Sequence, residues 1–202
     1  MLLPVSPEHP EPRKIRRAVE ALQDGEVIAY PPDTVYALGV DLMNKKAIDR
    51  LYQIKGMNRS QQLSFICPDL SEIARWAIVE NRHYRLLRHL LPGPYTCILD
   101  ATREVPKLLM SKKKTVGIRV PALPLTRALA QELGRPLLTT SANREGHDPF
   151  IDPRDIEDAF PGLAMVVDGD AGGTMPTTIL DLTTYPFQIV REGAGPIDEF
   201  LH

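Results

Sequence analysis

A short apolar run, Val27-Ile28-Ala29-Tyr30, is stopped by Pro31-Pro32 and gives way to Asp33-Thr34-Val35-Tyr36. The run reads as a β-strand. Proline lacks the amide donor that a sheet ladder needs, so the strand has to end there. An acid, a hydroxyl and a phenol then follow within a few residues. A strand end that opens into a polar loop is where open α/β folds place ligand contacts. Taken alone, the segment also fits an ordinary turn in which Asp33 and Thr34 bond their own backbone. The other segments decide between the two.

Helical spacing of Ile15, Ala18, Val19 and Leu22 predicts a helix over 13–23, stopped by Asp24-Gly25. Ala47, Ile48, Leu51, Tyr52 and Ile54 predict a second helix ending near Lys55-Gly56. Asp69 with Glu72 three residues later signals a helix over 70–78. Further helices are expected over 81–90 and 125–133, the latter closed by Gly134, and a short one starts at Asp152-Pro153. Strands are expected at 27–30, 63–67, 95–100, 115–120, 136–140, 164–168, 177–181 and 187–191. Residues 1–12 hold four prolines and read as an extended arm. Strands and helices alternate early and strands dominate late, which predicts an α/β chain on a mixed, twisted sheet.

Length, charge and cysteine usage narrow the class. A chain of 202 residues suits one domain. The formal net charge of -2 gives no global signal for nucleic acid, although Lys112-Lys113-Lys114 and the Arg82–Arg88 stretch could form local patches. Cys67 and Cys97 lie inside apolar runs and read as buried free thiols. The start Met1-Leu2-Leu3-Pro4 has no signal-peptide character, and no apolar run approaches a membrane span. A cytoplasmic protein with no membrane partner is expected.

Six segments share one design, an apolar run leading into polar, hydroxyl-rich or cationic residues. They are Asp33–Tyr36, Lys55–Arg59, Gly117–Pro121, Thr139–Asn143, Pro176–Asp181 and Arg191–Gly193. Together they offer the cations Lys55, Arg59, Arg119 and Arg191 and the neutral donors Thr34, Ser141, Asn143, Thr177 and Thr178. Such a set suits a polyanion such as a nucleotide, because arginine grips phosphate or carboxylate with a two-point fork and lysine acts as a point charge. Neither a Walker loop nor a G-x-G-x-x-G occurs. Gly172-Gly173 reads as a flexible turn, and Ser141 lacks the nucleophile elbow of serine hydrolases.

In this order the segments resemble the YrdC/YciO family, which includes the threonylcarbamoyl-AMP synthases. The segments that carry the resemblance are Pro32–Gly39, Gly117–Pro121, Ser141-Ala142-Asn143 and Pro176–Ile179, within about residues 13–195. Length and the Arg-Glu-Gly ending look most like the single-domain YciO branch. The resemblance implies a YrdC-like twisted mixed sheet with flanking helices and a concave, positively lined cavity. It implies condensation of L-threonine, bicarbonate and ATP into threonylcarbamoyl-AMP and pyrophosphate, with Mg2+ on the phosphates, feeding threonylcarbamoyladenosine modification of tRNA.

Carried over position by position, the resemblance gives Thr34 and Tyr36 to threonine, Thr178 to threonine or phosphate, and Lys55 to bicarbonate and phosphate. It gives Arg119 to the threonine carboxylate or a nearby anion, Ser141 and Asn143 to the nucleotide, and Arg191 to the triphosphate. One position departs. Where the synthases carry Lys-Gly-Arg, this chain has Lys55-Gly56-Met57, and Arg59 is the nearest candidate to replace the lost cation. Two other readings follow from the same residues: a non-catalytic module holding a nucleotide or double-stranded RNA, and a cavity for another carbamoylated or adenylated small molecule.

Overall fold

In the computed structural model, residues 1–58, 61, 63–144, 146–170 and 172–197 are described. The elements run β1 (Leu2–Pro4), α1 (Pro12–Gln23), β2 (Ile28–Tyr30), β3 (Ala37–Asp41), α2 (Lys45–Lys55), β4 (Ser64–Ile66) and α3 (Ile73–Trp76). They continue with α4 (Asn81–Leu90), β5 (Tyr95–Asp100), β6 (Thr115–Arg119), α5 (Pro124–Leu133), β7 (Leu137–Ser141), α6 (Pro153–Ala159), β8 (Met165–Asp168), β9 (Thr178–Asp181) and β10 (Gln188–Arg191). One mixed sheet orders the strands β1-β8-β2-β3-β7-β4-β6-β5-β9-β10.

Alternation along each strand divides the core in two. Val27, Ala29, Leu38, Val40, Phe65, Cys67, Leu138 and Val166 join α2, α3, α4 and α6 on one face. Their neighbours Ile28, Tyr30, Ala37, Ile66, Leu137, Met165 and Val167 join α1 and α5 on the other. A period of two forces this division, since successive side chains leave a strand on opposite sides. Both cysteines are buried, and burial pushes the Cys97 thiol up to about 12.

The helix ends follow the local chemistry. α2 is capped by Asn44, whose side chain accepts from the Ala47 amide at 3.1 Å, and it ends on left-handed Gly56 at φ 69°. α5 starts with Pro124 and ends on left-handed Gly134. Gly39 in β3 has a packing reason: a Cβ there would lie 2.5 Å from the Tyr30 ring. Tyr30 crosses that gap so that its hydroxyl can donate to Thr139 Oγ1 at 2.7 Å.

Residues 37–41 form β3, a central strand with every residue buried, where no strand was expected. Two expectations need correction. The arm at 1–12 contributes a sheet edge, with Leu2–Pro4 parallel to Val166–Asp168 and Leu3 and Val5 buried. The helix expected over 70–78 is only Ile73–Trp76, because Asp69 spends its carboxylate on a turn with Ser71 and the Glu72 amide. Among the described residues no helix is long and apolar enough to cross a membrane.

Candidate functional site

α1 and α5 cover only part of their face of the sheet. Beyond them, the same face carries Ser64, Thr96, Arg119, Thr139, Ser141, Thr177 and Ile179, which line a cavity of about 180 Å³. Thr34, Val35, Ala37, Thr140, Pro176 and Arg191 complete its walls. Gly117 lies in the floor, where a Cβ would meet Ser64 Oγ and Thr96 Cγ2 at 3.3 Å each.

The hydrogen bonds give the cavity a direction. One terminal nitrogen of Arg119 donates to Asp33 Oδ1 and to Thr34 Oγ1, each at 3.1 Å. Arginine has no acceptor, so the Thr34 oxygen accepts here and its own hydrogen is left for another partner. Arg191 donates to the Thr177 carbonyl at 2.8 Å and to Thr177 Oγ1 at 3.3 Å. The Thr177 hydrogen is then best used on Thr96, whose Oγ1 is 2.8 Å away, which leaves the Thr96 hydrogen for the cavity. Arg119 Nε is buried with no partner among the described residues. Burial lowers the pKa of both Arg119 and Arg191, and Asp33 partly offsets this for Arg119. With donors in excess, the cavity suits an acceptor-rich anion such as a carboxylate, carbamate or phosphate.

The loop after β2 is fixed from several sides. Thr126 of α5 donates to the Pro31 carbonyl at 2.8 Å. The Ala122 amide donates to Asp33 Oδ2 at 2.8 Å. Gly172 and Gly173 donate to the Pro32 and Thr34 carbonyls at 3.2 and 2.9 Å. A Cβ on Gly172 would sit 2.5 Å from Asp33 Cα, so this glycine pair is a close backbone contact and not the flexible turn expected.

Beside the cavity, Lys55 Nζ donates to the Ser141 carbonyl at 2.8 Å and to both the backbone and side-chain oxygens of Asn143, the latter at 2.7 Å. Ser141 Oγ donates to the same Asn143 side-chain oxygen at 2.6 Å. Lys55 therefore ties the end of β7 into shape. Met57 follows the left-handed Gly56, its amide bonded to the Tyr52 carbonyl at 3.0 Å.

Of the residues singled out in the sequence, Thr34, Arg119, Ser141 and Arg191 meet around the cavity, with Lys55 and Asn143 adjoining through Ser141. Tyr36 is fully buried in the core of the opposite face, and burial pushes its hydroxyl up to about 12. Alternation explains this, since its neighbours Val35 and Ala37 take the cavity side. Thr178 is fully buried too, its hydroxyl donating to the Gly195 carbonyl at 2.6 Å and accepting from the Gly193 amide at 3.0 Å. Arg59 lies outside the described residues. Ser64, Thr96 and Asp33 were not singled out as site residues. Their signal was a hydroxyl at alternate positions inside apolar strands, and an acid directly ahead of Thr34.

The model of the Sua5/YciO/YrdC family, described as "Telomere recombination", matches residues 20–193. This chain belongs to that family. YciO of Escherichia coli (strain K12), itself named as uncharacterized, is 39% identical over 200 residues, covering 98% of this chain and 97% of YciO. The crystal structure of E. coli YciO superposes with a TM-score of 0.94 at 38% identity, over 100% of this chain and 99% of that one. A threonylcarbamoyl-AMP synthase of Methylobacillus flagellatus is 35% identical over 165 residues, 81% of this chain and 92% of the synthase. The crystal structure of P. abyssi Sua5 complexed with L-threonine matches at a TM-score of 0.91 and 27% identity, over 98% of this chain and 59% of Sua5. The mixed sheet and its flanking helices are thus a family architecture.

Proposed function

We propose that the protein forms threonylcarbamoyl-AMP from L-threonine, bicarbonate and ATP, releasing pyrophosphate, for the threonylcarbamoyladenosine modification of tRNA in the cytoplasm. The observation that carries this reading is the donor-rich cavity built on Arg119, Arg191, Thr34 and Thr96. Threonylcarbamoyl-AMP synthases among the relatives and a Sua5 structure holding L-threonine support it.

The chemistry asks for what the cavity offers. The threonine amine bonds to the bicarbonate carbon with loss of water, giving a carbamate. A carbamate oxygen then bonds to the α-phosphorus as the bond to the bridging oxygen breaks and pyrophosphate leaves. Two anions have to approach, so fixed cations lower the repulsion and alignment supplies much of the remaining acceleration. About 180 Å³ suits a small amino acid and not a whole nucleotide, so ATP would extend from the mouth toward Ser141 and Asn143. Among the described residues no group of three or more acidic, cysteine or histidine side chains could hold a metal. Magnesium would arrive on the phosphates of ATP.

A second reading has its own support: Met57 stands where the family resemblance leads one to expect arginine, and Lys55 is bonded to Ser141 and Asn143. On that reading the protein holds a nucleotide or double-stranded RNA without turnover. The purified protein is mixed with ATP, magnesium, bicarbonate and L-threonine and assayed by mass for threonylcarbamoyl-AMP. Product that requires both threonine and bicarbonate, and that falls about a hundredfold or more in Arg119→Ala and Arg191→Ala, is the expected result. No product from a folded protein that still binds ATP would sink the synthase reading and favour the second.

A further inference from the structure

We propose that Asp33 is a positioning residue, holding the Arg119 guanidinium in one orientation and balancing its charge at a cost in affinity for an anionic substrate. The inference rests on the reading above that Arg119 meets the carboxylate of L-threonine.

Arg119 and Asp33 form an ion pair at 3.1 Å, with side-chain exposures of only 9% and 11%. A buried arginine without a counter-charge is costly, so the pair is what lets Arg119 sit inside the fold at all. Asp33 is itself immobile: its second oxygen accepts from the Ala122 amide, and Gly172 packs on its Cα. The chain leaving β6 thus fixes the acid, and the acid fixes the cation at the end of β6. With one terminal nitrogen spent on Asp33 and Thr34, the buried Nε of Arg119 is left without a partner. An arriving carboxylate finds a guanidinium already turned, but it also meets the negative charge of Asp33. Asp33 therefore trades affinity for orientation.

That trade can be measured. Asp33→Asn keeps the shape and removes the charge. An amide has one acceptor oxygen, so it can serve Ala122 or Arg119 but not both. Two measurements on the full chain are needed. The first uses arginine labelled with nitrogen-15, with the Arg119 Nε signal assigned by its loss in Arg119→Lys. It reads the orientation of Arg119 without any substrate. The second uses calorimetry with L-threonine together with kcat.

In Asp33→Asn the Nε proton should exchange faster, L-threonine should bind roughly fivefold tighter, and kcat should fall about tenfold. Asp33→Glu, which keeps the charge on a longer arm, should return the affinity toward wild type with turnover still lowered. It carries the test if Asp33→Asn does not fold. An unchanged Nε signal would overturn the proposal. So would affinity and turnover falling together with the melting temperature, which is what a purely structural acid would give. If wild-type protein binds no threonine while the Nε signal still changes in Asp33→Asn, the substrate reading fails and the positioning role stands.

Discussion

Beneath α1 and α5, the inward positions of the sheet are Ile28, Ile66, Leu137, Met165 and Val167. Further along the same face they are Ser64, Thr96, Thr139, Ser141 and Thr177. Both sets obey the same strand alternation, and their backbones pair in one continuous sheet. What differs is the cover. Helices press on the first set, so apolar side chains gain by leaving water. Among the described residues no helix covers the second, so it can keep hydroxyls and two arginines around a small cavity. The comparison teaches that the site is an unfinished core. The sheet supplies rigidity, and the missing helix supplies room.

The covered half should be the more sensitive to volume. Leu129 of α5 is fully buried in that cluster. Leu129→Ala should cost about 3 kcal/mol, the usual range for a leucine cavity in a core. Denaturant unfolding measures it. A cost below that of a surface substitution would mean that α5 is loosely seated and that the covered half is less distinct than described.

The boundary between the halves should be the next most sensitive. Gly172 abuts the Asp33 backbone so closely that a methyl group cannot be added without displacing the loop. Gly172→Ala should cost about 2 kcal/mol in stability and weaken threonine binding as well, because Thr34 and Asp33 move together. Unaltered threonine affinity in the folded variant would separate the glycine pair from the site.

How far the sequence foretold these halves depended on the kind of signal. α1, α2, α4 and α5 were legible because apolar residues recur at helical spacing and Gly56 and Gly134 mark two of the ends. β3 was not, because Ala37–Asp41 is buried on both faces and contains a glycine, so neither alternation nor a β-branched run announces it. Arg119, Ser141 and Arg191 were legible because each stands where a strand ends, and Thr34 because it follows one. Thr96 and Ser64 stand inside strands or at their starts. Their value comes from register, Ser64 opposite Gly117 and Thr139, and register between distant strands leaves no local mark. The unforeseen role of Asp33 has the same origin, since its partners Arg119 and Ala122 are more than eighty residues away.

The smallest expected effect tests the uncovered half most directly. Thr96 and Thr177 share one hydrogen bond in a buried floor, both 5% exposed. Thr96→Val keeps the shape and strands the Thr177 hydrogen, so it should cost about 1 kcal/mol. Removing both hydroxyls leaves no partner stranded, and the main bond of Arg191, to the Thr177 carbonyl, survives. The double Thr96→Val/Thr177→Val variant should therefore be nearly as stable as wild type, while L-threonine binding is lost because the floor no longer donates. If the double variant costs as much as the two single changes added, the hydroxyls serve the fold. The uncovered half would then be a polar core, and the cavity above it would need another explanation.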